Sequence, residues 1–570
     1  MLRPVYTEPD NCQDCYKCIR ECPVKAIRVE DNKASIIEER CIYCGHCTQV
    51  CPTGAKKIRD GLTRARLLLE KSPTVYLSLA PSYISEFGDL PTHVLIVAIQ
   101  RLGFAGVSET ALGAEMVSAE TETYLNTAPS GVYLSSACPV VVEYIRKYAP
   151  DYLSQITPLL SPMLAHVRML KELYGSESRV VFAGPCICKK LEADRFSHLV
   201  DVVITFKDLR EWIEASGINL KDRGLSTSLA TFVPYCSRLG ARYPIEGGML
   251  EGLHEGKRHT CYMAFSGLST IKDVLRELNT FHYGEESIFL ELLACKGGCI
   301  NGPAKLSTIS PALKRYEIIH TSDLGNPQRD FKHIDLYVEY RRDSTISSNR
   351  YTEEEIKQAM SAVGKHGTAD ELNCSGCGYD SCRDFAIAML EGRAEENMCV
   401  SYMRKVAHDK STVLLQKIPA GVLLVNSDLK IVDMNRNCAT LLGEDTTVIY
   451  DSSPGLPGIS LKSIAPFDDL FKTVLVTGKE IAERHIQIGD KTLTLSIYNI
   501  QPHRLLFGLL QDLQELILRK EWVIDKTNEV VRKHMETVQQ VACLLGENAA
   551  YTDSTLRMIM EANKAQQEEK

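Results

Sequence analysis

Residues 12–23 read CQDCYKCIRECP and residues 41–52 read CIYCGHCTQVCP, one C-x2-C-x2-C-x3-C-P frame used twice. This is an internal repeat. A tight loop brings three thiolates to neighbouring corners of one metal centre with little loop-closure cost, and the fourth cysteine of each run can tie in the other half. A zinc ribbon needs no such excess of cysteine and proline. Iron–sulfur clusters are the better chemistry, and one-electron transfer is what such clusters do. Three further cysteine loops stand far apart: SSACPVV with Cys138, AGPCICKKLEADR with Cys186 and Cys188, and ELLACKGGCINGPA with Cys295 and Cys299. Taken singly, each cysteine reads as a small buried hydrophobe. Taken together behind a cluster-binding repeat, Cys138, Cys186, Cys295 and Cys299 read as one converging ligand set. A last group, CSGCGYDSCRDFAIAMLEGRAEENMC at 374–399, spaces Cys374, Cys377, Cys382 and Cys399 as C-x2-C-x4-C-x16-C. A third accessory [4Fe-4S] cluster is the favoured reading there and structural zinc the alternative.

The elements that must position these residues follow from the apolar pattern. Between about 70 and 345, runs such as VYLSLA, VVFAG and VDVVITF alternate with amphipathic stretches such as HVLIVAIQRLGF and MLAHVRMLKELYG, an α/β pattern. Each central cysteine loop follows an apolar run. In α/β sheets the loops beyond the carboxyl ends of the strands are where ligands bind. From Ile418, IPAGVLLVNSDLKIVDMNRNCATLLG reads as strand, turn, strand and helix, and HIQIGDKTLTLSIYNI as a hairpin around Gly489-Asp490. Beyond Leu513 the chain reads as helical, with Ile524, Val531, Val538 and Leu545 seven apart, the spacing of a short coiled coil in a homodimer. His534 lacks the proline and the following ATP-binding domain expected of a phospho-acceptor.

The N-terminal repeat resembles the bacterial 2[4Fe-4S] ferredoxin pattern, in which the last cysteine of each run serves the other cluster. That resemblance implies Cys12, Cys15, Cys18 and Cys51 on one cluster and Cys41, Cys44, Cys47 and Cys22 on the other. The central loops resemble the signature motifs of [FeFe]-hydrogenases, T-S-C-C-P-x-W, M-P-C-x-x-K-x-x-E and E-x-M-A-C-x-x-G-C-x-x-G, and the likeness covers most of residues 1–345. The family implies an H-cluster: a [4Fe-4S] cube joined through one cysteine to a two-iron unit with CO, cyanide and a bridging azadithiolate. Carried over by position, Cys138, Cys186, Cys295 and Cys299 hold the cube and Cys299 bridges. Lys189 donates to an iron-bound cyanide, and Glu192 completes its loop. Ala80, Pro81 and Ser82 lie beside the other cyanide, and Ser161-Pro162 matches a segment just after the first motif. Cys188, Cys236 and Cys261 have no place in the pattern and read as core or incidental.

The departures from that family point one way. Ala137 stands where hydrogen-turnover members keep a proton-passing cysteine, and it has no titratable group. An acid–base relay is worth typically about 10²- to 10⁴-fold, so slow turnover is expected. Gly184, Leu293 and Val141 replace two Met and a Trp, and Met163 stands where a Gln is usual; all four are expected to line the two-iron pocket and to alter its polarity. Glu120 and Glu122 fall where the family keeps acids of its proton path, but read better as surface residues. The segment 374–399 resembles a small cluster domain of sensory hydrogenases, and the part from Ile418 resembles a PAS domain whose Asn435 starts a helix. A relay role is favoured there over cofactor binding.

Length and composition bound the rest. The 570 residues suggest about four domains, and the expected division is a ferredoxin domain at 1–62, a catalytic domain at 63–348, a cluster domain at 349–412, a PAS domain at 413–515 and a helical signalling segment at 516–570. A net charge of −8 argues against a general nucleic-acid or anionic-membrane binder. No run approaches the roughly 20 apolar residues of a membrane span, and the clustered cysteines suit a reducing, cytoplasmic setting. The function expected is a sensory, group C-like [FeFe]-hydrogenase that turns over H2 and protons slowly. The expected partners are a ferredoxin-like electron carrier, hydrogenase maturation proteins and a downstream kinase, phosphatase or other regulator. The alternatives are a ferredoxin-linked turnover hydrogenase with a regulatory PAS domain and, outside enzymes, an iron–sulfur assembly protein of the Nar family.

Overall fold

The computed structural model describes residues 3–88, 90–220, 230–253, 260–278, 286–322, 334–342, 351–512 and 530–533. The chain divides into two units, Met1–Met403 and Arg404–Lys570. No helix among the described residues is long and apolar enough to cross a membrane.

The first unit opens with the cysteine repeat, and the backbone repeats with the sequence. Asp14 and Tyr16 in the first loop, and Tyr43 and Gly45 in the second, all take positive φ. These left-handed turns come just before the short helices Lys17–Arg20 and His46–Val50. Two small antiparallel pairings brace the loops: Val5–Thr7 with Lys56–Ile58, and Ile27–Glu30 with Lys33–Ile36. The latter turns through Asp31-Asn32, both at positive φ as a tight two-residue hairpin demands.

The middle of the unit is the expected α/β structure, carried on two parallel sheets. One orders its strands Gly106–Glu109, Val75–Leu79, Arg179–Gly184 and Val202–Thr205. The other orders them Thr260–Ser266, Ser287–Leu293 and Val132–Leu134. Strands covered on both faces read as near-continuous apolar runs, and Val75, Leu77, Leu79, Val180, Val181 and Ala183 are wholly buried. Helices including Thr92–Arg101, Pro162–Tyr174 and Phe206–Ala215 return the chain between strands. The last begins at a reciprocal cap between Thr205 and Asp208.

Helices Glu353–Ala362 and Cys382–Leu390 pack together through Ile356, Met360, Cys382 and Ala386. The second unit holds a five-stranded antiparallel sheet in the order Ile431–Met434, Gly421–Asn426, Leu505–Asp512, Lys491–Gln501 and Ile481–Ile488. The hairpin around Gly489-Asp490 is present. Asn435 caps helix Arg436–Leu442 by accepting from Cys438 N at 2.9 Å. Ile524, Val538, Leu545 and His534 lie outside the described residues, as does all of the expected helical segment except residues 530–533.

Candidate active site

Four strands deliver their following loops to one place. Val75–Leu79 runs into Ala80, Pro81 and Ser82, and Val132–Leu134 into Ser135, Ser136, Ala137 and Cys138. Arg179–Gly184 leads to Pro185 and Cys186, and Ser287–Leu293 to Ala294 and Cys295. Because the strands of each sheet are parallel, their carboxyl ends lie on one side, and the two sheets together enclose a cavity of about 100 Å³. Cys138, Cys186, Cys295 and Cys299 all line it, with Ala80, Pro81, Ser82, Ala137, Met163, Lys189 and Leu293. Cys138 precedes helix Pro139–Tyr148, whose proline takes the first helical position, where no N–H is needed. Cys299 follows Gly298 at φ 101°, where a Cβ would collide with the Pro244 carbonyl, so only glycine lets the two loops approach.

The thiols act on one another. Burial first, then Cys138 and Cys186, push the Cys299 thiol up; burial and then Cys138 push Cys186 up to about 11. Burial, Cys299 and Cys186 likewise raise Cys295. A set of thiols so penalised for ionising has the donor chemistry of a cationic metal cluster, which supplies the missing positive charge. Lys189 is the counter-charge within this chain. Burial works most strongly against its ammonium, but Glu192, with Oε2 at 2.7 Å, and the Cys186 and Cys138 thiols together outweigh it and hold Lys189 charged above its ordinary range. Its Nζ also donates to the buried Ser161 Oγ at 2.8 Å.

A buried ion pair braces the Cys299 loop from behind. Lys314 Nζ lies 2.7 Å from Glu86 Oε1 and donates to the carbonyl of Ile300 at 3.2 Å. Glu86 Oε2 accepts from Leu306 N and, at 2.8 Å, from Ser307 N.

Two of the expected lining residues are not on the wall. Val141 is wholly buried in the core behind the helix start, because one residue of helix turns the side chain about 100° away from Val140, which does face the cavity. Gly184 is displaced by its neighbour: a Cβ there would stand 2.8 Å from the Phe182 ring, and Phe182 lines the cavity instead. Glu120 and Glu122 are half-buried on helix Ala111–Thr127, off the cavity wall. Of the cysteines set aside, Cys188 is core, Cys236 half-buried and Cys261 exposed.

Phe182, Tyr243 and Glu291 line the cavity and were not singled out by spacing. Glu291 is the most telling. It is 1% exposed, accepts from Met249 N at 3.3 Å through Oε1, and its Oε2 has no partner among the described residues. Burial pushes its carboxyl up to about 8, against the backbone donors that lower it. A carboxylate in the apolar run SIFLELL was the available signal, since charges are almost never buried unpaired.

The N-terminal thiols group across the repeat. Those acting on Cys18 are Cys12, Cys15 and Cys51, and those acting on Cys47 are Cys41, Cys44 and Cys22. The second loop meets the cavity: the Cys44 thiol acts on Cys295, Gln49 Nε2 donates to the Gly302 carbonyl at 3.3 Å, and a Cβ at Gly45 would run into Ile187 and Pro303. Cys374, Cys377, Cys382 and Cys399 line a separate small pocket with Tyr379 and Phe385. Among the described residues no group of three or more His, Cys, Asp or Glu side chains is placed to hold a metal ion.

The fold and site define a hydrogenase-like iron–sulfur protein. Residues 73–303 match the family described as "Iron only hydrogenase large subunit, C-terminal domain", residues 4–52 the "4Fe-4S dicluster domain", and residues 370–401 "Putative Fe-S cluster". Iron hydrogenase 1 of Clostridium pasteurianum is 24% identical over 354 residues, 53% of this chain and 58% of that one. The chain thus spans under two thirds of that relative. A cytosolic Fe-S cluster assembly factor, NAR1 of Encephalitozoon cuniculi, is 24% identical over 214 residues, 34% of this chain and 58% of that one. Among solved structures, a variant of [FeFe]-hydrogenase HydA1 from Chlamydomonas reinhardtii shares 18% identity over 46% of this chain and 88% of that one, with a TM-score of 0.35.

Proposed function

We propose that the chain is a sensory [FeFe]-hydrogenase that oxidises H2 and reduces protons slowly and reports the result through its C-terminal unit. The observation that carries this reading is the convergence of Cys138, Cys186, Cys295, Cys299 and Lys189 on one cavity at the ends of strands from two parallel sheets. The four thiols would hold the [4Fe-4S] cube, and Cys299 would be the one that links it to the two-iron unit. When bound, the two-iron unit supplies an electron-poor metal with an open position and an amine base, the means to split H2.

The residues of this chain do the rest. Lys189, held by Glu192 and Ser161, would donate to one cyanide, and Pro81 and Ser82 would border the other. Ala137 holds no proton, so the relay that turnover enzymes place there is cut. Glu291 Oε2, buried and without a partner among the described residues, can take a proton from the same cavity. Its raised pKa suits exchange near neutral pH. Cys41, Cys44, Cys47 and Cys22 would hold the cluster nearer the cavity and Cys12, Cys15, Cys18 and Cys51 the farther one, which would carry electrons outward, and Cys15 is exposed where an external carrier could approach. Cys374, Cys377, Cys382 and Cys399 hold a third accessory [4Fe-4S] cluster.

The five-stranded antiparallel sheet of the second unit supports the PAS reading. Slow turnover suits a sensor, since signalling needs a change of redox state and not flux. A kinase, phosphatase or other regulator receives the signal, the chain acts as a cytoplasmic homodimer, and maturation proteins install the cofactor.

Infrared spectroscopy of matured protein tests the reading. CO and cyanide bands that shift under H2, beside slow turnover, are the expected result. The likeness to NAR1 keeps a second reading, a non-catalytic cluster carrier; a protein with iron and sulfide in the cavity but no such bands belongs there.

A further inference from the structure

The place of the third cysteine group in the wiring is decided by what it leans on. Its loop is docked on the N-terminal repeat. Arg20 bridges the two, donating to the carbonyl of Cys15 at 3.2 Å and to that of Gly376, between Cys374 and Cys377, at 3.3 Å. Lys25 Nζ donates to the Gly378 carbonyl at 2.8 Å and pairs with Asp380 at 3.3 Å. Val29 N donates to the Arg393 carbonyl at 3.1 Å, and Asp31 N to Glu395 Oε1 at 2.8 Å. The approach is close enough to require glycine. Gly378 has φ +94°, and a Cβ on it would stand 2.9 Å from Ile19 Cγ2 and 3.1 Å from Arg20 N. Tyr379 and Phe385 share a buried core with Cys18, Ile19 and Cys22.

The docked stretch is informative in its own right. Cys18 acts with Cys12, Cys15 and Cys51, whereas Cys22 acts with Cys41, Cys44 and Cys47. The third loop therefore sits on the five residues that carry one thiol of each N-terminal group. The cavity, by contrast, is met by the Cys44–Gln49 loop.

We infer that the third cysteine group is a branch on the electron path, exchanging electrons with the N-terminal cluster pair across Cys18–Cys22 and not directly with the hydrogenase cavity. The inference rests on the reading that all these cysteines hold [4Fe-4S] clusters. The step is one electron from a reduced N-terminal cluster, which is oxidised, to the third cluster, which is reduced; no bond forms or breaks. The electrons come from H2, which yields two electrons and two protons. Electrons then have two exits: the exposed Cys15 side, and the third cluster. The second exit leads toward the sensory unit in sequence, because Cys399 directly precedes helix Val400–Lys417 and its carbonyl accepts from Met403 N at 2.9 Å. An added electron there meets the positive end of the helix.

The test is electron paramagnetic resonance of the full-length, cluster-loaded protein, frozen at intervals after mixing with H2. Iron counting comes first: C377A should lose four irons per chain, and an unchanged count sinks the cluster reading itself. With that established, K25E, which sets a carboxylate against Asp380, should slow filling of the third cluster at least tenfold while H2 oxidation with a dye acceptor is unchanged. K25E/D380K should restore it. In C44S, which lacks a ligand of the intervening cluster, dithionite should reduce the third cluster and H2 should not. Filling by H2 at the wild-type rate in either K25E or C44S overturns the branch.

Discussion

The cavity around Cys299 and the loop around Cys374 each gather four cysteines, and they are built in opposite ways. The cavity draws its thiols from 162 residues of chain, Cys138 to Cys299, through the ends of separate strands, and the hydrophobic core stands behind every wall. The loop draws its four from 26 residues, with Cys374 exposed and Cys382 and Cys399 buried, and it is held by one short helix pair and by its docking on the N-terminal repeat through Lys25 and Gly378. The cavity opens only when the strands that carry it separate, whereas the third loop can open by undocking from the repeat with the sheets intact. Burial pushes up the thiols of Cys186, Cys295 and Cys299 in the cavity and that of Cys377 in the loop.

The largest expected effect tests whether Glu291, the acid on the cavity wall with Oε2 unbonded among the described residues, is used. Glu291→Gln keeps the shape and the bond from Met249 N but removes the proton. Loss of an acid–base group is worth about 10²- to 10⁴-fold, so H2 oxidation should fall at least 100-fold with cluster content unchanged. The same variant has a stability signature. With the native carboxyl at about 8 and an ordinary one near 4.5, the native state binds more protons between those values. Stability therefore falls as pH rises through that window, by at most about 1.4 kcal/mol per pH unit. E291Q should flatten that slope in denaturant titrations at several pH values; an unchanged slope would show that Glu291 titrates normally.

Next in size is the brace behind Cys299. Lys314→Met removes one partner of a wholly buried pair and leaves Glu86 uncompensated, which costs about 3–5 kcal/mol. Melting of the first unit should drop accordingly, with the third cysteine loop unaffected by local measures such as hydrogen exchange.

A chelator challenge compares the two regions directly. With an iron chelator present, the third group should lose its iron first, tracked by iron count and by the paramagnetic signal it contributes, while the cavity retains its own until global unfolding. Simultaneous loss would mean that the local loop is as protected as the core.

Much of this contrast was legible in the sequence, for physical reasons. Cysteine spacing is local, so the repeat, the third group and the loop positions of Cys138, Cys186, Cys295 and Cys299 could be read directly. The α/β pattern followed from apolar runs that are buried on both faces. What could not be read depended on rotation and on neighbours distant in sequence. Val141 differs from Val140 by one helical step, and Gly184 is glycine because Phe182 takes its space. Glu291 sat inside a recognised motif, yet its missing partner is visible only once Met249 and the cavity surround it. The docking of Gly378 on Ile19 joins segments more than 350 residues apart, which no local pattern encodes.

The smallest effect bears on the residue that first suggested slow turnover. Ala137 lines the cavity, and its N–H donates to Ser135 Oγ at 3.2 Å. Ala137→Cys supplies the thiol that faster members of the resembled family keep. A relay works only as a chain, however, and Glu120 and Glu122, the acids expected beyond it, lie off the cavity wall. The new thiol would have no neighbouring acid from that pair to pass its proton to. The variant should therefore gain about tenfold at most, below the 10²- to 10⁴-fold worth of a complete relay, measured as H2 evolution from fully matured protein. A gain of 10³ or more would mean that the cysteine side already holds a working path to solvent and that Glu291 is not the principal proton acceptor.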